Sequence, residues 1–257
     1  MRFEGRVTLV TGANRNTGLA IAEAFAREGA TVWLNGRNAA ELAQVADNLR
    51  KTSGATVHEA LADIGAQEQV DALFERIRQT SGRLDILVNN AVNQGMGHTL
   101  IDTPQQMLED VFRINVFGAY ACAQAAAKIM ALQKSGTIIN IGSNTAERAI
   151  RNRTAYVASK AAVDGLTRAM AVELGPMGIR VNSVVAGYIR TERWDTLAEG
   201  VEKRRLLNVP LQAEAGGNDI AEAVLFLASD AAARINGTRL VVDGGSLVQL
   251  YPADCEA

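Results

Sequence analysis

The sequence predicts an α/β fold: one doubly wound, parallel, seven-stranded sheet with helices on both faces. Three observations carry this reading. Seven short β-branched runs recur along the chain, several are apolar on successive residues, and alanine-rich segments with helical spacing lie between them. Successive apolar residues suit strands covered on both faces. Parallel strands in turn need crossover connections, which helices supply. In order, the strands are expected at Val7–Val10, Thr31–Asn35, Thr56–Leu61, Asp85–Val88, Thr137–Ile141, Arg180–Val185 and Arg239–Val242. Helical spacing is plain in Leu19, Ala22 and Ala26, and again in Leu42, Val45 and Leu49. The 257 residues, 48% of them hydrophobic, suffice for a single domain over 1–257. One segment breaks the rhythm: Thr191–Gln212 is a charged, tryptophan-containing insert, and its Glu202–Arg205 run reads as a solvated helix face.

Composition excludes several classes. A net charge of −2 gives no case for nucleic acid or an anionic membrane as partner. The most apolar run, Ala119–Leu132, is broken by Gln124 and Lys128, and the N-terminus has Glu4 where a secretory leader would begin its apolar segment. Cys122 and Cys255 stand at no metal-type spacing and read as free thiols of a cytoplasmic protein, with no metal expected.

The first strand runs directly into Thr11-Gly12-Ala13-Asn14-Arg15-Asn16-Thr17-Gly18, after which a helix begins. A turn between strand and helix aims free N–H groups and the positive helix end at a phosphate. Gly12 allows the tight turn and Gly18 the close approach of helix to sheet. The second strand ends Leu34-Asn35-Gly36-Arg37, without the acid that binds adenosine ribose hydroxyls in NAD sites. Arg15 and Arg37 instead suit a 2′-phosphate, which points to NADP(H).

Further on, Tyr156 and Lys160 are four residues apart in a helical pattern, so they share one face. A free phenol, with a pKa of about 10, is a poor acid–base catalyst at neutral pH. A nearby ammonium is expected to lower it. Ser143, thirteen residues before Tyr156, follows the fifth strand, at the sheet edge where such folds bind ligands.

These residues resemble the short-chain dehydrogenases/reductases, and the resemblance runs from about Arg6 to Gly245. Its motifs are the Thr11–Gly18 turn, Asp63-Ile64, Asn89-Asn90-Ala91, Asn115, Ser143, Tyr156 with Lys160, and Val242-Asp243-Gly244-Gly245. The resemblance implies a Rossmann-type fold and a catalytic tetrad of Asn115, Ser143, Tyr156 and Lys160. Ser143 would orient the carbonyl and Tyr156 would give or take the proton. Lys160 would tune the phenol and bind the nicotinamide ribose, and Asn115 would hold a water in a proton relay. By the same resemblance Gly12, Asn14, Arg15, Asn16, Thr17 and Gly18 hold the cofactor's phosphates, with Arg37 beside them. Asp63 and Ile64 meet adenine, Asn90 and Ala91 the adenosine ribose, and Ile189 and Thr191 the carboxamide. Three positions depart from the pattern: Asn16 and Val92 replace glycines, and Ala186 replaces a proline. Asn tolerates the left-handed backbone, so the turn is expected to survive. Val92 is expected to narrow the cofactor cleft, and Ala186 to loosen the exit of the sixth strand.

The expected activity is NADP(H)-dependent reduction of a ketone to a secondary alcohol, or the reverse, with a 3-oxoacyl or other ketone as substrate. The alternatives are an NADP-linked alcohol or sugar dehydrogenase working oxidatively, and a nucleotide-binding sensor without catalysis. The pocket is expected from residues 94–99, 144–153 and the 191–212 insert, with Trp194 and Leu197 as apolar lining. His98 borders this pocket or faces solvent, and Arg151 and Arg153 meet an anionic substrate or lie in a solvated loop. His58 has no ligand-spaced partner, and Cys122 and Met130 read as packing residues. In the family, the helices of Ala119–Ala127 and Ala158–Ala171 form a subunit interface, so a homotetramer is expected, with a dimer next.

Overall fold

The computed structural model describes residues 1–191 and 199–255. Among them, seven strands form one parallel sheet in the order β3-β2-β1-β4-β5-β6-β7. They are β1 (Val7–Val10), β2 (Thr31–Gly36), β3 (Val57–Leu61), β4 (Ile86–Asn89), β5 (Gly136–Ser143), β6 (Ile179–Ala186) and β7 (Arg239–Val242). Helices α1 (Asn16–Arg27), α2 (Ala39–Ser53) and α3 (Gln67–Ser81) connect the first four strands. After β4 come α4 (Gln105–Phe112), a π-helical stretch Arg113–Gly118 and α5 (Ala119–Gln133); α6 (Thr154–Leu174) lies between β5 and β6. Two helices, α7 (Val201–Leu206) and α8 (Gly217–Ala228), precede β7. None of the described helices is long and apolar enough to cross a membrane.

The runs of consecutive apolar residues are explained by two cores. Val10, Leu34, Val88, Ile139 and Val184 pack on one face under α1, α2 and α8. Their neighbours Leu9, Trp33, Leu87, Ile138 and Val181 pack on the other, under α3, α5 and α6. Each large side chain so buried contributes roughly 1.5–3 kcal/mol, so a strand sandwiched this way needs apolar residues at every position.

The strand ends differ from the apolar runs where pairing outlasts hydrophobicity. The β5–β6 ladder holds from Gly136 opposite Ile179 to Ser143 opposite Ala186, carrying β5 two residues beyond Ile141. Ser143 is therefore the last residue of the strand. β1 pairs with β2 on one side and β4 on the other, so successive connections turn away from each other there. A crevice opens at such a reversal, outside the carboxyl ends of the strands.

Candidate active site

The turn after β1 is built by side chains that tie neighbouring strands together. Thr11 Oγ1 accepts hydrogen bonds from the Asn90 and Ala91 N–H groups, both at 3.0 Å. The Asn90 amide donates to the Thr11 and Gly12 carbonyls at 2.9 and 3.0 Å. Asn35 Oδ1 accepts from Gly12 N at 3.3 Å, while its Nδ2 donates to the Ala60 and Ala62 carbonyls. Gly12 has φ +62°, and a Cβ there would lie 2.8 Å from Ala91 Cα, so only glycine fits. Asn16 adopts φ +49°, so asparagine does carry the left-handed backbone at the position where the pattern has glycine. No side chain caps α1, and its first turn contains no acid. By contrast α2 is capped by Asn38, and the Gly216 N–H at the start of α8 is satisfied by Asp219. This cradle fits the diphosphate of a dinucleotide: an uncapped, positive helix end with glycine at the point of closest approach.

Gly36 and exposed Arg37 follow at the end of β2, with Arg15 exposed on the turn. Neither arginine forms an ion pair among the described residues. The nearby carboxylate of Glu41 is held by Asn14 Nδ2 at 2.7 Å and by Asn38 Nδ2 at 3.2 Å. Asp63 follows β3 beside buried Ile64. One carboxylate oxygen of Asp63 accepts from the Gly65 N–H at 2.9 Å, and the other pairs with Arg113 at 3.0 Å. Burial raises this carboxyl, but the Gly65 N–H, Arg113 and, more weakly, the charge of Arg37 together outweigh it and hold the group below its ordinary value.

At the other end of the crevice the strand β5 delivers Ser143, and α6 delivers Tyr156 and Lys160 on one face. Ser143 neighbours the phenol of Tyr156 and favours its ionised form. Ser143 Oγ accepts from Thr145 Oγ1 at 2.9 Å. Buried Lys160 places its Nζ 5.8 Å from the centre of the Tyr156 ring and donates to the Ile141 carbonyl at 2.6 Å. Asn115 stands in the π-helical stretch and is buried. Its Oδ1 accepts from Asn93 N at 2.7 Å, and its Nδ2 donates to Asn93 O and Ser159 Oγ, both at 2.9 Å. Ser159 in turn donates to the Tyr156 carbonyl at 2.7 Å. The widened π turn, a frequent device at functional sites, thus lets one asparagine fix both the 93 loop and the tyrosine helix.

The electrostatics correct one expectation. Lys160 was expected to lower the phenol; burial instead pushes Tyr156 above its usual value, and the opposing pulls come from Ser143 and Arg153. The reason is desolvation, which disfavours the phenolate in the buried site more than the neighbouring groups favour it. Burial also pushes the Lys160 ammonium down to about 8, against an upward pull from Asp164.

Ile189 and Thr191 follow β6, half-buried, and Ile189 bridges to Ala215. The strand exit is tied rather than loosened: Ala186 pairs with Val242, and Gly187 N donates to the Val242 carbonyl at 3.0 Å. Alanine keeps β6 in its ladder through this point. Val92 is 41% exposed. Asp243 is buried and accepts from Gly245 N, Leu247 N and Ser246 Oγ, and Ser246 accepts from Asn144 beside Ser143. Arg153 is half-buried, with its guanidinium 5.9 Å from the centre of the Tyr156 ring and bonded to the Gln94 carbonyl. Arg151 is exposed, and His98 is half-buried. Trp194 and Leu197 lie outside the described residues.

Residues that sequence reasoning passed over include Thr11, Asn35, Thr145, Ser159 and Ser246. Each is a small polar side chain whose partner is remote or lies across a turn, so spacing gives little signal. Ser159 had one, its place inside the Tyr156–Lys160 repeat.

Comparison with known proteins agrees with this geometry. A family model described as enoyl-(acyl carrier protein) reductase matches residues 12–246. The 3alpha-hydroxysteroid dehydrogenase of Mediterraneibacter gnavus is 35% identical over 248 residues, covering 96% of this chain and 98% of that protein. The structure of a gluconate 5-dehydrogenase from Burkholderia cenocepacia J2315, in complex with NADP and tartrate, superposes with a TM-score of 0.92 at 32% identity, covering 97% of this chain and 98% of that one. NAD+-bound xylitol dehydrogenase gives 0.90 at 30% identity, covering 95% and 100%. With the cradle, the Ser143–Tyr156–Lys160 face and these full-length likenesses in agreement, the chain belongs to the short-chain dehydrogenase/reductase family of nicotinamide-dependent oxidoreductases.

Proposed function

We propose that the chain is an NADP(H)-dependent reductase that converts a ketone to a secondary alcohol, or runs the reverse reaction, with Tyr156 as proton donor and acceptor. The observation that carries this reading is the meeting of Ser143, at the end of β5, with the Tyr156 phenol and the Lys160 ammonium, which is buried 5.8 Å from the centre of the same ring. When bound, the nicotinamide supplies or accepts the hydride. Ser143 orients the carbonyl, and the Tyr156 phenol protonates its oxygen as charge develops there. Lys160 lends positive charge to the phenol and holds the nicotinamide ribose. Asn115 fixes the approach of the 93 loop to the tyrosine helix and serves the relay that returns the proton. Gly12 and Asn14 to Gly18 hold the diphosphate, Asp63 and Ile64 the adenine, Asn90 and Ala91 the adenosine ribose, and Ile189 and Thr191 the carboxamide.

NADP(H) is the preferred cofactor in this reading, because Arg15 and Arg37 flank the place of the 2′-phosphate where an acid would repel it. Structural relatives include both an NADP complex, of gluconate 5-dehydrogenase, and an NAD+ complex, of xylitol dehydrogenase, so the two arginines carry the preference. The activities of these two relatives favour the alternative of an alcohol or sugar dehydrogenase working oxidatively on the same residues. The protein is read as cytoplasmic, with Cys122 and Cys255 as free thiols. It is read as a homotetramer, or else a dimer, joined along α5 and α6, where Tyr120 and Val172 are exposed, with Phe117 exposed in the π-helical stretch just before α5. NADPH oxidation against ketones, diketones, β-ketoesters and 3-oxoacyl and enoyl thioesters, with NADP+ reduction against polyols and sugar acids, tests the reading. Turnover that persists in Tyr156→Phe removes the mechanism, and absence of turnover across both panels favours a non-catalytic sensor.

A further inference from the structure

Asp164 lies one helical turn beyond Lys160 and two turns beyond Tyr156, so α6 carries phenol, ammonium and carboxylate along one face. It is 6% exposed, which is rare for an aspartate and needs compensation. Both Lys160 and Asp164 converge on the same short piece of β5. Lys160 donates to the Ile141 carbonyl, and Asp164 Oδ1 stands 3.6 Å from the place a Cβ would take on Gly142. On the far side Asp164 Oδ2 is 3.0 Å from Arg239 Nε at the start of β7. Arg239 also pairs with Glu147, in the loop that follows Ser143. Oδ1 has no hydrogen-bond partner among the described residues, and neither does Ser183 Oγ beside it on β6. One carboxylate oxygen therefore stands without a donor in a desolvated place; burial raises this carboxyl above its ordinary value, and Arg239 and Arg168 pull the other way.

We propose that Asp164 is a positioning residue of the site: its buried carboxylate, anchored by Arg239, stabilises the Lys160 ammonium against the β5 backbone. The reading rests on the oxidoreductase role given above to Lys160 and Tyr156. The charged groups facing Asp164 are Lys160 and Arg168 from α6, Arg239 from β7 and Glu147 from the loop after β5. Burial drives the Lys160 proton off; a carboxylate one turn away opposes it, so the ammonium survives nearer to neutral pH. An ordinary packing residue at this position would leave Lys160 without that support.

The chain has five lysines, so carbon-13 labelling at Cε gives five resonances, and loss of one in Lys160→Met assigns the signal. In Asp164→Asn the Lys160 midpoint is expected to fall by about one pH unit, and the alkaline limb of reductive kcat to fall with it, KM being little changed. Lys51, Lys128, Lys134 and Lys203 serve as unmoved references. Asp164→Glu keeps the charge and is expected to return the midpoint towards wild type. A Lys160 titration unchanged in Asp164→Asn overturns the proposal, as does an equal fall in both variants, which would indicate packing rather than charge. A shifted titration with an unmoved kcat profile overturns the positioning role. If the wild-type protein turns over no substrate, the functional reading fails, while the titration still reports on the ion pair.

Discussion

The two edges of the sheet use the same materials for opposite ends. At the amino edge, buried Asp85 accepts from Val7 N at 2.8 Å and pairs with Arg6 and Arg83. Arg180 donates to Thr137 Oγ1 at 3.0 Å and to the Ala228 and Ser229 carbonyls at the end of α8. A cavity of about 480 Å³ opens there, walled by Arg2, Arg6, Asp85, Arg180 and Asp230 among others. Its charges are largely consumed by one another and by carbonyl ends of helices, which attract cations. At the carboxyl edge the helix end facing the crevice is uncapped, and the arginines beside it form no ion pairs among the described residues. The polar side chains there are held in place by strands yet aimed at a common space. A hollow does not make a site; donors left unspent at the positive end of a helix do.

Four substitutions would break or sharpen this contrast. The largest effect is expected for Tyr156→Phe, which should lower kcat by roughly 10²- to 10⁴-fold while NADPH binding, read by fluorescence titration, stays close to wild type. Next is Lys160→Met, which should stabilise the fold at pH 7 while abolishing the site's charge. The Lys160 pKa falls from 10.5 to about 8 on folding, so the cost of its buried charge is fully present below about pH 8. It fades as the pH rises and is gone above 10.5, where both states are neutral. The gross value is about 3 kcal/mol, less about 1 kcal/mol for the lost bond to the Ile141 carbonyl. Thermal unfolding from pH 7 to 11 should show the gain shrinking, and a gain independent of pH would contradict it. Arg37→Ala should weaken the preference for NADP over NAD by about tenfold in kcat/KM, the share of one charge-assisted contact. An unaltered ratio would show that the end of β2 does not read the phosphate. The smallest effect is expected at the opposite edge, where Arg180→Ala should cost about 1 kcal/mol in stability and leave kcat unchanged. Loss of activity with an intact Tm there would erase the division between the edges.

Much of this molecule was legible in one dimension. The apolar runs placed all seven strands, because a strand covered on both faces has no position that water can occupy. Tyr156 and Lys160 were readable from a spacing of four, and the phosphate turn from glycines between a strand and a helix. Other features were hidden because they are bonds between distant residues. Asn115 meets Asn93 and Ser159 only because a π turn interrupts the helix, and no periodicity announced that turn. The direction of the Tyr156 shift was misjudged for a related reason. Spacing brings the ammonium close, but burial on every side sets the larger effect, and burial is a property of the packed whole.

The sequence by itself determined the order of elements, the family, and which side chains stand at strand ends and on one face of α6, since these follow from local periodicity and turn chemistry. The tertiary structure alone decided which strands are neighbours, that the uncapped end of α1 faces the crevice, and that Asp164, Arg239 and Glu147 gather behind Lys160. Those outcomes depend on distance through space and exclusion of water, and neither quantity exists until the chain has closed on itself.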